Sequence, residues 1–301
     1  MRQLVFAVLF SWVAGAGGVA AAAGADSAGG KTHPVEFWRA LAKAGYAVPP
    51  GENSMVLARE LTAFVGHPDP ELRDGLGYTI TAEWVQRGVL GAQELRELMP
   101  VWRSHLAAPG PDKVLNRAFG ALSLALVAAV DARNPFLTEE EFRSLFDEAL
   151  TLLTAETDLR GWDPRQGWVH VTAHTADLLK FLARSRHLRP ADQGRVLDAI
   201  ATRLATAPVI FTYGEDERLA AVVVSLVRRP DFDQAALLAV AKRLASLPEG
   251  FDGFRPQPAA YAARRNALAF LKSVYLYLGL EGTKHPAAKS VAEALLAAMA
   301  E

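Results

Sequence analysis

Apolar residues recur at helical spacing along almost the whole chain, and the strict alternation of a half-buried strand is not found. Leu95, Leu98, Met99, Trp102 and Leu106 make one stripe, and Leu115, Phe119, Leu122, Leu126, Ala129 and Val130 make a second. Phe142, Leu145, Phe146, Ala149, Leu150 and Leu153 make a third. Ahead of the third stand Thr138 and Glu141, spaced so that each side chain can satisfy the other's backbone amide in a capping box. Asp69-Pro70 sets a capping residue before a proline suited to a first turn, and Pro34, Pro190 and Pro286 can open three more helices. Pro/Gly-rich breaks at 48–54, 107–112 and 247–258, with a long link over 155–167, divide the pattern into about a dozen helices. Short connections of this kind join antiparallel helix pairs.

The predicted fold class is therefore all-α. Several helices are apolar over a wide arc, and 119–130 is apolar nearly all round, which suits a helix held between two neighbours. That predicts a right-handed superhelix or α-solenoid of antiparallel helix pairs, HEAT-like or of the α/α type. No fixed-period repeat is visible, so its units have diverged. Residues 208–214, PVIFTYG, are the one stretch suited to extended backbone, and a short buried loop accounts for them equally well.

The first residues carry a different message. Met1-Arg2 supplies a short positive end, 4–13 are an apolar core, and 15–25 are small residues apart from Val19. This is the pattern of a signal peptide, with cleavage after Ala23 or Ala25. The expected plan is a signal peptide over 1–25, a flexible linker over 26–32 and one all-α domain over 33–301. The apolar run is too short and too diluted by Gly and Ala for a stable membrane span once the signal is removed, so the protein is expected in the periplasm or secreted.

Composition narrows the chemistry. The chain has no Cys, which excludes disulfides, thiolate catalysis and lipid attachment at a cysteine. Lys and Arg number 32 against 33 Asp and Glu, with no block of like charge. Neither nucleic-acid binding through phosphates nor a basic membrane-surface face is indicated. The GxSxG elbow, P-loop, GxGxxG fingerprint and Cys/His zinc ribbon are all missing, so no motif names a cofactor.

Polar chemistry concentrates in 156–177, ETDLRGWDPRQGWVHVTAHTAD. A helix is predicted from Trp168 to about Arg186. At about 100° per residue, His170, His174 and Asp177 fall within roughly 60° on one face. An i, i+4 His pair with a carboxylate from Asp177, Glu156, Asp158 or Asp163 can ligate a transition metal, although Val171 rules out HExxH. The same residues can instead form a buried network in which a carboxylate fixes a neutral imidazole and Arg160 pairs an acid. A polar binding or catalytic pocket is the third possibility.

Two further clusters stand apart in sequence. Tyr213-Gly214-Glu215-Asp216-Glu217-Arg218 opens a helix, where acidic residues serve either as caps or as an acid or base. Arg264-Arg265-Asn266 interrupts a long apolar helix and needs partners if buried. The expected pocket has Asp158, Arg160, Trp168, His170, His174 and Asp177 on one wall, and Glu215, Glu217, Arg218, Arg265 and Asn266 on the other. Its occupant would be a polar small molecule, a peptide or a partner protein. A hydrolase using carboxylate and His acid–base chemistry or a His-ligated metal competes with that reading, as does a scaffold with no ligand.

Four segments carry a resemblance to a known family: DPELRDGLGYTITAEWVQRGVL (69–90), ETDLRGWDPRQGWVHVTAHTAD (156–177), YGEDERLA (213–220) and RNALAFLKSVYLYLG (265–279). Together they resemble a bacterial family known as domain of unknown function 2785. The resemblance implies an all-α superhelical fold of paired helices and implies no activity. It also groups the three polar clusters into one framework.

Overall fold

Twelve α-helices and two minimal hairpins make up the computed structural model, which describes residues 32–282 and 286–300. The expected signal peptide and all but the last residue of the linker lie outside the described residues. The helices belong to one compact unit, His33–Glu301. In chain order they are α1 (Val35–Lys43), α2 (Ser54–Leu61), α3 (Thr79–Gln86), α4 (Ala92–Leu106), α5 (Val114–Asp131) and α6 (Glu139–Ala155). After them come α7 (Val171–Leu182), α8 (Pro190–Thr206), α9 (Glu215–Val227), α10 (Gln234–Ala245), α11 (Pro258–Glu281) and α12 (Pro286–Ala300). A π-helical segment, Glu71–Tyr78, runs directly into α3. Strands β1 (Trp162–Asp163) and β2 (Gly167–Trp168) pair antiparallel, as do β3 (Phe251–Asp252) and β4 (Arg255–Pro256).

Local signals explain where the helices start. The Glu141 amide donates to Thr138 Oγ1 at 3.1 Å and the Thr138 amide to Glu141 Oε2 at 2.8 Å, closing the capping box. Pro190 and Pro286 are the first residues of α8 and α12, and Pro34 immediately precedes α1. All five stripe residues in α4 and all six in α6 are buried. In α5, Leu122 and Val130 are only partly covered while the rest of that stripe is buried. The stretch Pro111–Asp131 is long and apolar enough to cross a membrane, yet most of it is buried against α4 and α7.

Helices pack in two alternating series. α5 lies on α7, α7 on α9 and α9 on α11, whereas α4 lies on α6, α6 on α8, α8 on α10 and α10 on α12. Contacts between α4 and α5, α6 and α7, and α10 and α11 join the series. Arginines seal the seams by donating to carbonyls at the ends of neighbouring helices. Arg203 reaches Leu153 O (2.6 Å) and Glu156 O (2.7 Å). Arg229 reaches Ala183, Ser185 and Leu188, and Arg117 reaches Ala108 and Gly110. Leu153, in the last turn of α6, and Ala183, at the end of α7, present carbonyls at the negative end of the helix dipole, where a cation is doubly favoured.

One local expectation needs correction. Trp168 is not the first residue of a helix; it lies in β2, and α7 starts at Val171. Gly167 (φ 70°) and His170 (φ 51°) both take left-handed backbone, which no helix can continue through. Residues 208–214 form a loop, with Phe211 buried and no strand pairing.

Candidate functional site

The link from α6 to α7 is built on short-range polar contacts. Asp163 Oδ1 accepts the amides of Arg165 (2.9 Å) and Gln166 (3.0 Å), closing the turn between β1 and β2. Arg160 donates from Nε to Asp158 Oδ1 (2.9 Å) and from Nη1 to Asp163 Oδ2 (2.8 Å), bracing the hairpin from outside. The pairing continues inward, with the Val169 amide on Gly161 O (3.0 Å) and the His170 amide on Arg160 O (3.1 Å).

From inside, the hairpin is held by Arg73, a residue that the sequence reading did not single out. Its side chain has no exposed surface and projects from the π-helical segment. Nη2 donates to Gln166 O (2.6 Å), Trp168 O (3.1 Å) and Asp74 Oδ2 (2.7 Å), and Nη1 to His67 O (2.9 Å). The guanidinium lies over the Phe119 ring at 4.6 Å. Burial lowers its pKa, but arginine stays charged in any protein setting. The backbone that presents it is widened: the Thr79 amide and hydroxyl both reach Asp74 O, five residues back, the hydroxyl at 2.7 Å. Burial also raises Asp74, to about 6, against the pull of Arg73.

Both imidazoles sit behind this anchor. His170 is buried and stacks on Trp168 at 4.7 Å. Its Nε2 lies 2.9 Å from Tyr213 O, an acceptor only, so the ring carries its proton there. Glu215 Oε1 is 3.6 Å from the same nitrogen. Burial lowers His170 to about 4, and it is neutral at ordinary pH. His174, one turn on, meets His170 at 5.7 Å and the Phe119 ring edge-on at 4.9 Å. Among the described residues its Nδ1 is buried with no partner, and burial followed by the neighbouring His170 drives its pKa well below the usual range.

Other charges close the cluster from α9. Asp177 accepts from Lys180 Nζ (2.9 Å) and, at its other oxygen, from Arg218. Tyr78 faces this pair; burial, then Asp177, pushes its hydroxyl up. Glu215 is buried and takes the Tyr213 amide at 2.9 Å. Burial raises its pKa, while the amides of Glu215 and Tyr213 pull it down. Gly161 makes the close packing feasible. A β-carbon there would overlap the Tyr213 ring and come within 2.7 Å of Glu215 Oε1.

The structure thus brings Trp168, His170, His174, Asp177, Glu215 and Arg218 together, and adds Arg73, Asp74 and Tyr78. It does not bring in the others. Glu217 is exposed and faces Tyr277 on α11. Arg265 is exposed on α11, whereas both imidazoles are buried. Asn266 is buried but serves the 208–214 loop, accepting the Phe211 amide (2.8 Å) and donating to Val209 O (2.9 Å). Asp158 and Arg160 stay on the outer side of the hairpin. The expected hollow with all eleven residues on two walls is therefore not formed.

The proposed ligand set His170, His174 and Asp177 also needs correction. Among the described residues, no three His, Asp or Glu side chains converge as metal ligands. His170 Nε2 is turned onto a carbonyl, and both Asp177 oxygens are taken by cations. Among the described residues, neither imidazole bonds a hydroxyl that it might activate as a general base.

What reaches solvent is aromatic. Trp162 (43 % exposed), Trp168 (38 %) and Tyr213 (46 %) contact one another in sequence, Trp162 edge-on to Trp168 at 4.9 Å and Tyr213 edge-on to Trp168 at 5.8 Å. An open cleft of about 730 Å³ between the hairpin and residues 68–70 is lined by Pro68, Asp69, Pro70, Arg160, Asp163, Arg165 and Gln166, and none of the three exposed rings lines it. Of these groups, Trp168, Tyr213, Arg160 and Asp163 stand out in sequence within the polar clusters, and Asp69 and Pro70 only as a helix start. The signal for Trp162 was its six-residue spacing from Trp168 across a Pro/Gly turn.

No curated protein and no solved structure matches the chain. A family model does, over residues 103–276, which takes in α5 through most of α11 and thus the hairpin, both imidazoles and the Asp177–Arg218 pair. Since the match covers more than half of the chain, the protein belongs to the family described as protein of unknown function (DUF2785).

Proposed function

We propose that this protein is an exported α-superhelical binding protein that takes a polar ligand on the aromatic hairpin between α6 and α7. The alternating packing of odd on odd and even on even helices supports a solenoid of antiparallel pairs. The observation that carries the binding reading is the trio Trp162, Trp168 and Tyr213. Large rings in mutual contact are left to water on a hairpin that is otherwise pinned from both sides. Exposed apolar surface of this kind is costly, and its rigid mounting suits a recognition platform. The buried network beneath then serves to hold the platform, which explains neutral imidazoles without a nucleophile. A hydrolase lacks that support, and a scaffold without a ligand leaves the rings unexplained.

The test is a thermal-shift and tryptophan-fluorescence screen of purified wild type and Trp162→Ala against fractionated envelope polysaccharide digests and a random decapeptide pool. A fraction that raises the melting temperature of wild type but not of Trp162→Ala is the expected result. Equal responses of the two proteins to every active fraction, or no response at all, would overturn the reading. Export is tested separately by N-terminal sequencing of protein from the periplasm, which should begin at residue 24 or 26.

A further inference from the structure

We infer that the outer face of α11 and α12 is a two-fold interface with a second copy of this chain, α12 of each copy lying in the groove between α11 and α12 of the other. No residue of the aromatic hairpin lines that groove, so the pairing does not depend on what the hairpin binds.

Exposure singles this face out. On α11 the exposed positions Lys272, Tyr275, Leu276, Gly279 and Leu280 recur three and four apart, so they share one side of the helix. A solvent-facing arc is ordinarily polar. Here Tyr275 (41 % exposed), Leu276 (56 %) and Leu280 (62 %) stand on it, and Leu296 (51 %) is open on α12. The exposed positions of α6 and α8 carry no large apolar side chain. Between the two helices runs an open groove of about 570 Å³, with Leu276, Gly279 and Leu280 on the α11 wall and Lys289, Ala292 and Glu293 on the α12 wall. In the two alternating series, α11 lies on α9 and α12 on α10, and no described helix follows them. The face is therefore the one on which a further helix pair would stack, and a second copy carries such a pair.

Gly279 and the two charges on α12 say what the groove accepts. Glycine weakens a helix, yet a β-carbon at Gly279 would meet nothing within 4 Å. No neighbour in the chain requires a bare α-carbon there, whereas a helix laid into the groove does. Lys289 and Glu293 lie one turn apart and are exposed, and among the described residues neither has an ion-pair or hydrogen-bond partner. Their signs are opposite. When α12 pairs antiparallel with its copy about an axis level with Val291, Lys289 of each protomer faces the partner's Glu293, so the ion pair forms twice. With that axis on the groove side of α12, each α12 fits between α11 and α12 of the other copy, and the ridge-into-groove contact is also made twice. A surface that supplies both halves of its own ion pair is complementary to itself. A partner of one charge sign, or an anionic bilayer, would match one of the two charges and oppose the other.

The experiment is sedimentation velocity with light scattering on the full chain, from about 1 to about 200 µM, the range in which interfaces of modest size associate. Wild type should pass from monomer to dimer and no further, because a two-fold contact closes on itself. Gly279→Leu should weaken dimerisation about tenfold or more, while its melting temperature at the lowest concentration is no lower than that of wild type. Lys289→Glu or Glu293→Lys alone should weaken it about fivefold or more, since each sets like charges together. The double exchange, Lys289→Glu with Glu293→Lys, should restore the dimer to within about threefold of wild type, as only a self-paired surface allows. Trp162→Ala should dimerise as wild type does. A monomer at every concentration, or a dimer that all three single variants leave unchanged, overturns the interface, as does a dimer lost with Trp162→Ala. A double exchange that restores nothing overturns the two-fold pairing of α12. A wild type that stays monomeric but floats with vesicles of equal parts phosphatidylethanolamine and phosphatidylglycerol, and that Gly279→Leu releases, assigns the face to a bilayer and overturns the second copy.

Discussion

His170 holds a left-handed backbone at φ 51°, a conformation that its β-carbon disfavours, and the strain is repaid by the Tyr213 carbonyl and the Trp168 ring. Dense His, Trp and Arg make 156–177 legible, but nothing in a histidine announces positive φ, and the helix expected from Trp168 starts three residues later, at Val171. Gly161 shows the same limit: its need for a bare α-carbon comes from Tyr213 and Glu215, more than fifty residues on. Gly161→Ala should cost about 1–3 kcal/mol in denaturant unfolding and red-shift tryptophan emission as Tyr213 is displaced. A variant as stable as wild type would mean that the close approach is not rigid.

Protonation gives a second test at this scale. His170 stays neutral in the fold down to about 4, while in the unfolded chain it gains a proton below about 6.5. Between those values the unfolded chain binds more protons. Stability is therefore fully present above about 6.5 and lost as pH falls towards 4, by roughly 3 kcal/mol for this group. His174 extends the same slope to lower pH. Asp74 acts in the opposite direction: its folded pKa of about 6 lies above the usual 3.8, so its contribution is present at low pH and lost as pH rises through 6. Asp74→Asn removes the opposing slope. Its melting temperature should drop more steeply than that of wild type between pH 6 and 4, and parallel curves would refute the assignment.

At the scale of elements, the helices were readable because their signals are local. Stripes, the Thr138–Glu141 box and proline starts each need fewer than twenty consecutive residues. The π-helical turn and the β1–β2 hairpin were not readable, since neither has a sequence period. They are fixed by Arg73, whose guanidinium bonds carbonyls more than ninety residues away. Arg73→Leu removes a buried cation that three segments share and leaves carbonyls of 67, 166 and 168 without their donor. A loss of roughly 3–5 kcal/mol is expected. Amide exchange should accelerate in 161–169 well before it does in α4 or α6. Uniform acceleration across the helices would show that Arg73 supports the fold at large rather than this hairpin.

At the scale of the whole molecule, the reading went wrong where helix phase decides partners. Glu215 and Glu217 are two residues apart on α9, which turns them roughly 200° from each other. One is sealed against Tyr213 and Gly161, and the other faces α11. Arg265 and Asn266 likewise diverge by about 100°, one to water and one to the loop ahead of α9. Nearness in sequence is not nearness in space here, because the packing of α7 between α5 and α9 sorts these residues by helix face. Mutational cost should follow that sorting. Glu217→Gln combined with Arg265→Gln should change unfolding free energy by no more than about 0.5 kcal/mol, as exposed substitutions do. Asp177→Asn should cost about 2–4 kcal/mol, because it removes the buried carboxylate that Arg218 and Lys180 share between α7 and α9. Were the pair on α9 and α11 to prove as costly as Asp177, those two clusters would have to meet after all, and the division between a buried network and an outer recognition face would be wrong.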